Sequence, residues 1–234
     1  MLPAVGLLVV FLAGPIAWAV AGSLTDRGLT GVSAAKPEFI GFDNFTRLFD
    51  DPVLPLSILL TVVFVVGSAI IGQNILGLLL AVLFRAGSRA VAGTVGVIVV
   101  IAWVLPEIVA AFVSYAFFSA DGTLNGALSL FGVQGPNWLY ALPLLAIVLA
   151  NTWRGTAFSM MIYRAALDDV PPEVTESAMI DGAGTWQRLR FITLPMISGT
   201  VFTNLLLTTL QTLSVFTLIW VMTKGGPGDL STTL

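Results

Sequence analysis

The side chains that could do chemistry in this sequence are few, and most sit inside apolar runs. There is no histidine and no cysteine, which removes disulfides, thiolate nucleophiles, sulfur-ligated metals and the commonest general bases. The sequence has no G-x-x-x-x-G-K-[ST], H-E-x-x-H or G-x-S-x-G run, so it offers no P-loop, zinc-protease helix or nucleophile elbow. Two aspartates in a solvated loop, Asp168 and Asp169, do not make an acid–base dyad. What remains is a set of amides, hydroxyls and single charges: Gln73, Asn74, Glu107, Asn151, Arg154, Asn204, Thr208, Gln211 and Thr212. Such groups are costly within a membrane and face either a bundle interior or a water-filled path. Asn204, Thr208 and Gln211 recur at i, i+4 and i+7, which places them on one helical face. With Asn74 and Asn151 they could line a solute path and bond to hydroxyl groups, or they could bond across to neighbouring helices. Glu107 follows Pro106 and is either a hinge carboxylate or a partner for Arg154. Arg154 lies about nine residues from the expected cytoplasmic end of its span, and its first reading is a snorkelling side chain.

These residues need apolar elements to hold them, and the composition supplies little else. Hydrophobic residues make up 57% of the 234-residue chain and charged residues 10%, with a mean hydropathy of +0.97. A soluble domain carries about 25% charged residues. The chain is therefore read as an all-α polytopic membrane protein. A net charge of −3 with no block of like charge gives no footprint for nucleic acid, and the low charge excludes disorder.

A helix needs about 20 apolar residues to cross a bilayer, and five segments qualify: 3–22, 55–84, 91–118, 140–163 and 197–222. The first lacks the basic start and clean cleavage site of a signal peptide and is read as a retained anchor. Gly67, Gly72 and Gly77, with Ser68 and Ala69, either let span two pack closely within a bundle or reflect the ordinary glycine enrichment of membrane helices. Trp103, Trp138, Trp153 and Tyr140 are candidates for an interfacial belt.

The loops set the orientation. The second is short and basic (Arg85, Arg89), the third (119–139) has neither Lys nor Arg, and the fourth (164–196) carries Arg164, Arg188 and Arg190. The positive-inside rule then puts loops two and four in the cytoplasm, with the N-terminus, and loop three and Leu234 outside. The first loop, with Arg27, Lys36 and Arg47 offset by five carboxylates, follows by alternation.

The fourth loop carries the most information. Asp168 and Asp169 offer helix caps, Pro171 and Pro172 suit a first turn, and a helix is expected to about Ile180. Asp181-Gly182-Ala183-Gly184 ends it, and Thr185 is placed to cap a second helix through Trp186, Arg188, Leu189, Phe191 and Ile192. The expected product is a helical hairpin on the cytoplasmic face, presenting Met179, Ile180, Trp186 and Phe191. It is either a docking surface or a hairpin lying on the membrane.

Glu176-Ser177-Ala178, three residues, Gly182, nine residues, then Ile192-x-Leu194-Pro195 resembles the EAA loop of permease subunits in binding-protein-dependent ABC importers. Ser177 replaces the middle alanine. Asp181-Gly182-Ala183 within this run is similar to the maltose and glycerol-phosphate branch of that family. Phe39-Ile-Gly41-Phe-Asp43-Asn44-Phe45 resembles its F-x-G-L-x-N-Y signature, and Thr223-Lys-Gly225-Gly226-Pro227 its T-x-G-G-P turn. The resemblance spans nearly the whole chain.

The resemblance implies a type 1 importer core of six spans, so the sixth is expected to be missing here and the chain to be a fragment unable to transport alone. It also implies partners: a cytoplasmic ABC ATPase dimer, a second permease subunit, an extracytoplasmic solute-binding protein and membrane lipid. Glu176, Ser177, Ala178, Asp181, Gly182, Ala183, Ile192, Leu194 and Pro195 would form the ATPase-coupling loop. ATP and Mg would sit on the ATPase, with no cofactor on this chain, and the cargo would be a sugar or sugar-like solute. The setting implied is a prokaryotic cytoplasmic membrane. The alternative readings are a secondary transporter driven by an ion gradient, which would need inverted repeats and membrane carboxylates, and a non-transporting scaffold.

Overall fold

The computed structural model describes residues 2–226 and 231–233. Pro227 of the T-x-G-G-P turn and Leu234 lie outside the described residues. Among those described, every regular element is helical, apart from an isolated bridge between Thr25 and Phe39. Helices satisfy their own backbone groups, which is what a lipid environment demands. The chain forms two compact units, Met1–Leu56 and Ser57–Leu234.

In the first unit, helix α1 (2–23) contains a stretch, Val5–Ser23, that is long and apolar enough to cross a membrane. It buries none of its described side chains. Two short helices follow, α2 (Val32–Ala35) and α3 (Asp43–Asp50). The residues of the F-x-G-F-D-N-F run fasten this loop to the end of α1. Asn44 donates both to the Ser23 carbonyl (2.9 Å) and to the Thr25 carbonyl (2.8 Å). Gly41 turns the chain at φ +61°, a conformation that glycine adopts without strain.

The second unit is organised around three helices: α4 (Leu54–Arg85), α9 (Pro143–Asp168) and α12 (Ser198–Leu213). α4 widens into π-helical turns over Val65–Gln73. Where α4 meets α9 the backbones come very close. A Cβ on Gly77 would lie 2.4 Å from Ser159 Cβ and 2.9 Å from the Met160 nitrogen, and one on Gly72 would lie 2.4 Å from Thr152 Oγ1. The facing residue on α9, Gly155, has the Gln73 amide in the space its own Cβ would fill, at 2.2 Å. Gly72 and Gly77 therefore act in close packing, as small residues do between membrane helices. Arg85 closes the end of α4 by donating to the Leu167 carbonyl of α9 at 2.7 Å, where a cation suits the exposed carbonyls and the helix dipole.

The expected spans are redrawn in three places. The segment 91–118 is two helices, α5 (Arg89–Val104) and α6 (Glu107–Phe118), and across this break the axis bends by 108°. Pro106 has no N–H to donate and disfavours helix at Leu105, so the helix must restart. Two short helices, α7 (Thr123–Ser129) and α8 (Trp138–Ala141), come next. α9 then runs five residues beyond the expected limit of 163, to Asp168. It has the length of a span but is less apolar than α1 or α4, because its buried face carries Asn151, Thr152, Thr156 and Ser159.

The last expected span, 197–222, also breaks, into α12 and α13 (Thr217–Met222). Ser214 contributes to this break, since its hydroxyl donates to the Leu210 carbonyl at 3.1 Å while its N–H reaches back only to Gln211. Local side-chain bonds of this kind compete with the helix ladder. α13 packs into a core of Phe64, Ala111, Phe118, Ile147 and Ala150 through Leu218, Ile219 and Met222.

Candidate functional site

Two regions of the second unit hold the candidate residues. The first is the hairpin of α10 (Pro172–Ile180) and α11 (Thr185–Met196). The helix caps differ from the sequence expectation. Asp168 is the last residue of α9, Asp169 is its C-cap, and the N-cap of α10 is Pro171, with no side-chain cap bond. Likewise Gly184, not Thr185, is the N-cap of α11, and its N–H donates to Gln187 Oε1 at 2.8 Å.

The turn between the helices explains the glycine of the motif. Gly182 has φ +81°, the Ala183 N–H bonds to the Ala178 carbonyl at 2.9 Å, and the Gly182 N–H bonds to the Met179 carbonyl at 3.1 Å. This is a Schellman closure, whose left-handed position suits glycine. Arg188 folds back onto the turn and donates to the Ala183 carbonyl at 2.6 Å. Ala178 is buried, whereas Glu176, Ser177, Asp181 and Gly182 are exposed and Ala183 is half-buried. Glu176 has no side-chain hydrogen bond or ion pair among the described residues. Ile192 is half-buried and Pro195 exposed. Leu194 anchors the hairpin by packing on a core of Ala81, Tyr163, Leu167 and Ile197. Apolar side chains are left open at the tip: Met179 58%, Ile180 87%, Trp186 70% and Phe191 71% exposed. A rigid turn, a free carboxylate and four exposed apolar groups make a surface ready to be covered.

The second region is a polar seam where α4, α9 and α12 meet. Asn74 is its centre. Its Nδ2 donates to the Ala69 carbonyl (2.7 Å) and Thr208 Oγ1 (3.3 Å), and its Oδ1 accepts from the Tyr163 hydroxyl and from Asn204 Nδ2 (2.8 Å). Asn204 also donates to Ser159 Oγ at 3.0 Å. Asn151 donates to Ser68 Oγ (2.9 Å) and Thr212 Oγ1 (3.2 Å), and its carbonyl accepts from Gln73 Nε2 (3.2 Å). The structure thus brings Asn74, Asn151, Asn204 and Thr208 together as cross-helix bonds, all of them buried. The inward face of α12 is Asn204, Thr208 and Thr212, whereas Gln211 is exposed at its edge.

Glu107 joins the two helix breaks. Its Oε1 accepts from the Leu218 N–H at 3.2 Å, in the first turn of α13. No ion pair between Glu107 and Arg154 occurs among the described residues. Sequence reasoning missed this contact because the partner is a backbone group 111 residues away. Two of the aromatic belt candidates also have internal duties: Trp138 Nε1 donates to Asn125 Oδ1 at 2.8 Å, and Trp103 stacks on Phe158 at 5.8 Å. Trp153 and Tyr140 are exposed. Apolar cavities of about 650 and 550 Å³ flank α9, one lined by Gly96, Val100 and Met161 and the other by Val113, Phe117 and Trp153. Neither is lined by the seam. Among the described residues no group of three His, Cys, Asp or Glu side chains is placed to hold a metal.

Comparison with known proteins adds to this geometry. Residues 73–234 match the family described as binding-protein-dependent transport system inner membrane component. A trehalose/maltose transport system permease of Thermococcus litoralis is 34% identical over 203 residues, covering 85% of this chain and 68% of that one. A sulfoquinovosyl glycerol transport system permease of Agrobacterium fabrum is 32% identical, covering 99% of this chain and 75% of the relative. In a crystal structure of a bacterial ABC transporter involved in importing the acidic polysaccharide alginate, one chain superposes with a TM-score of 0.79. It is 27% identical, and the match covers 99% of this chain and 77% of that one.

Proposed function

This chain belongs to the family of binding-protein-dependent transport system inner membrane components, and on that premise we propose that it is the permease subunit of an ATP-driven importer for a sugar or sugar-like solute. The similarity to permeases for trehalose/maltose, lactose and sulfoquinovosyl glycerol supports that class of cargo. The observation that carries the coupling role is the α10–α11 hairpin: a Schellman turn at Gly182 with Glu176 and four large apolar side chains exposed around it.

An exposed apolar cluster of this kind marks an interaction site. The hairpin docks on a cytoplasmic ATPase, with Glu176 free to meet a basic residue there. Movement of the ATPase pair is passed through Leu194 to the core at Tyr163 and so to α9 and α4. The whole of 1–234 then works as one permease domain, with its N-terminus and the 164–196 segment cytoplasmic. A second permease subunit completes the path, and an extracytoplasmic binding protein delivers the solute. The path runs beside the seam of Asn74, Asn151, Asn204 and Thr208, with the exposed amide of Gln211 turned towards it. Because those four are engaged in bonds between helices, a change of helix register would free them in turn as access alternates.

The test is uptake by membrane vesicles holding the assembled complex. ATP-dependent uptake abolished by Gly182→Asp or Glu176→Lys, in a chain that still inserts, is the expected result. Uptake that follows a proton or sodium gradient without any ATPase would instead support the secondary-transporter reading.

A further inference from the structure

Arg154 is a full positive charge midway along α9, and no carboxylate among the described residues neutralises it. It is residue 12 of the 26 in α9. At 1.5 Å rise per residue it stands about 17 Å from Pro143 and about 21 Å from Asp168. Both ends of α9 are therefore about three turns or more away. An ionised side chain at such depth pairs with a counter-charge or marks a solute pathway.

The pairing is missing. Nε of Arg154 is buried without an acceptor, and no carboxylate lies within ion-pair distance among the described residues. The only acidic side chain of α4, α5, α6, α12 or α13 is Glu107, and its Oε1 is held by the Leu218 N–H. Arginines elsewhere in the chain do find acceptors: Arg85 has the Leu167 carbonyl and Arg188 the Ala183 carbonyl. Arg154 Nε is the one arginine nitrogen that is buried without an acceptor among the described residues.

A polar and an aromatic residue flank it along α9. One turn before it on the same face is Asn151, part of the polar seam, and one turn after it is Phe158, stacked on Trp103. Arg154 as a whole is half-buried, with Nε inside. Its guanidinium presents five donors in a planar fork that matches carboxylate, sulfonate or phosphate oxygens.

We propose that Arg154 recognises an anionic group on the solute, so that the cargo is an acidic sugar and not a neutral one. This rests on the sugar-importer reading above. The native complex, reconstituted in liposomes with its binding protein, is assayed for uptake of uronate disaccharides, a sugar phosphate and a sugar sulfonate, each beside its neutral parent. Wild type is expected to carry an acidic member and not its parent. Arg154→Gln should lower that uptake about tenfold to a hundredfold, the loss of one charge-assisted contact, while Arg154→Lys retains part of it. Uptake of a neutral sugar that Arg154→Gln leaves within about twofold would overturn the proposal and keep the importer. A complex that dissociates on Arg154→Gln but is restored by removing an acidic residue of the second permease would also overturn it, by making Arg154 an interface ion pair. Uptake of neither acidic nor neutral sugars would instead refute the sugar-importer reading itself.

Discussion

Gly77→Ala is the sharpest test of how α4 and α9 are held together. The added Cβ would sit 2.4 Å from Ser159 Cβ and 2.9 Å from two backbone atoms of α9, the Ser159 carbonyl carbon and the Met160 nitrogen, where ordinary contact begins at 3.4 Å. The backbone atoms cannot rotate away, so the helices must separate by about 1 Å, or local strain must absorb the overlap. Overpacking of this size costs about 1–3 kcal/mol. Against it stands a gain of about 1 kcal/mol from replacing glycine within a helix. The net loss is about 0–2 kcal/mol, a drop in melting temperature of at most about 8 °C for a chain of this length. Gly199→Ala is the control, because no atom lies within 4 Å of the position its Cβ would take. Thermal unfolding of the detergent-solubilised protein, followed by gel filtration with fluorescence detection, reads both. If Gly77→Ala raises the melting temperature as much as the unobstructed Gly199→Ala does, the close approach of α4 and α9 is refuted.

Further substitutions probe the seam, the hairpin turn and the Glu107 contact. Asn74→Leu removes four bonds at once and should cost about 1–3 kcal/mol in a bilayer setting, where each cross-helix bond contributes roughly 0.6 kcal/mol and at most about 1.7. Combined with Asn204→Leu its effect should be clearly less than additive in the same melting assay, because both changes delete one shared bond. Gly182→Ala, which meets no steric obstacle but must hold φ +81°, should cost about 1 kcal/mol and weaken ATPase retention about fivefold in pull-down, while Gly182→Asn, tolerant of that conformation, loses less. Glu107→Leu should speed hydrogen exchange at the Leu218 amide about tenfold by removing its acceptor, and Glu107→Gln should leave it close to wild type.

The sequence made some features legible because their causes are local. Hydrophobic length fixed α1 and α4, and the D-G-A-G run fixed the turn between α10 and α11, since a Schellman closure needs only a few residues. The polar positions were also visible, because amides and hydroxyls stand out against an apolar background. What they bond to was not. Asn74 and Asn204 are 130 residues apart, and no helical period reports which of two equally polar faces turns inward. Gln211 shows the limit, sharing a stripe with Asn204 and Thr208 by spacing yet lying at the exposed edge of the observed face. The breaks at Pro106 and Ser214 were hidden for a different reason. Proline is tolerated in many membrane helices, so its presence did not say that the chain would turn by 108° there. The bond from the Leu218 N–H to Glu107 depends on that turn.

The proposed seating of the α10–α11 hairpin on a cytoplasmic ATPase is open to cross-linking. The chain has no cysteine, so a single introduced thiol is uniquely addressable. Ile180→Cys places one at the tip of α10, at a position 87% exposed, and Phe131→Cys places one at a position 83% exposed in the segment expected on the opposite side. In native membranes treated with a short amine–thiol cross-linker, Ile180→Cys should yield an adduct with a P-loop ATPase subunit, identified by mass spectrometry, and Phe131→Cys should not. An ATPase adduct from Phe131→Cys, or none from Ile180→Cys in membranes where the complex is intact, would contradict the account.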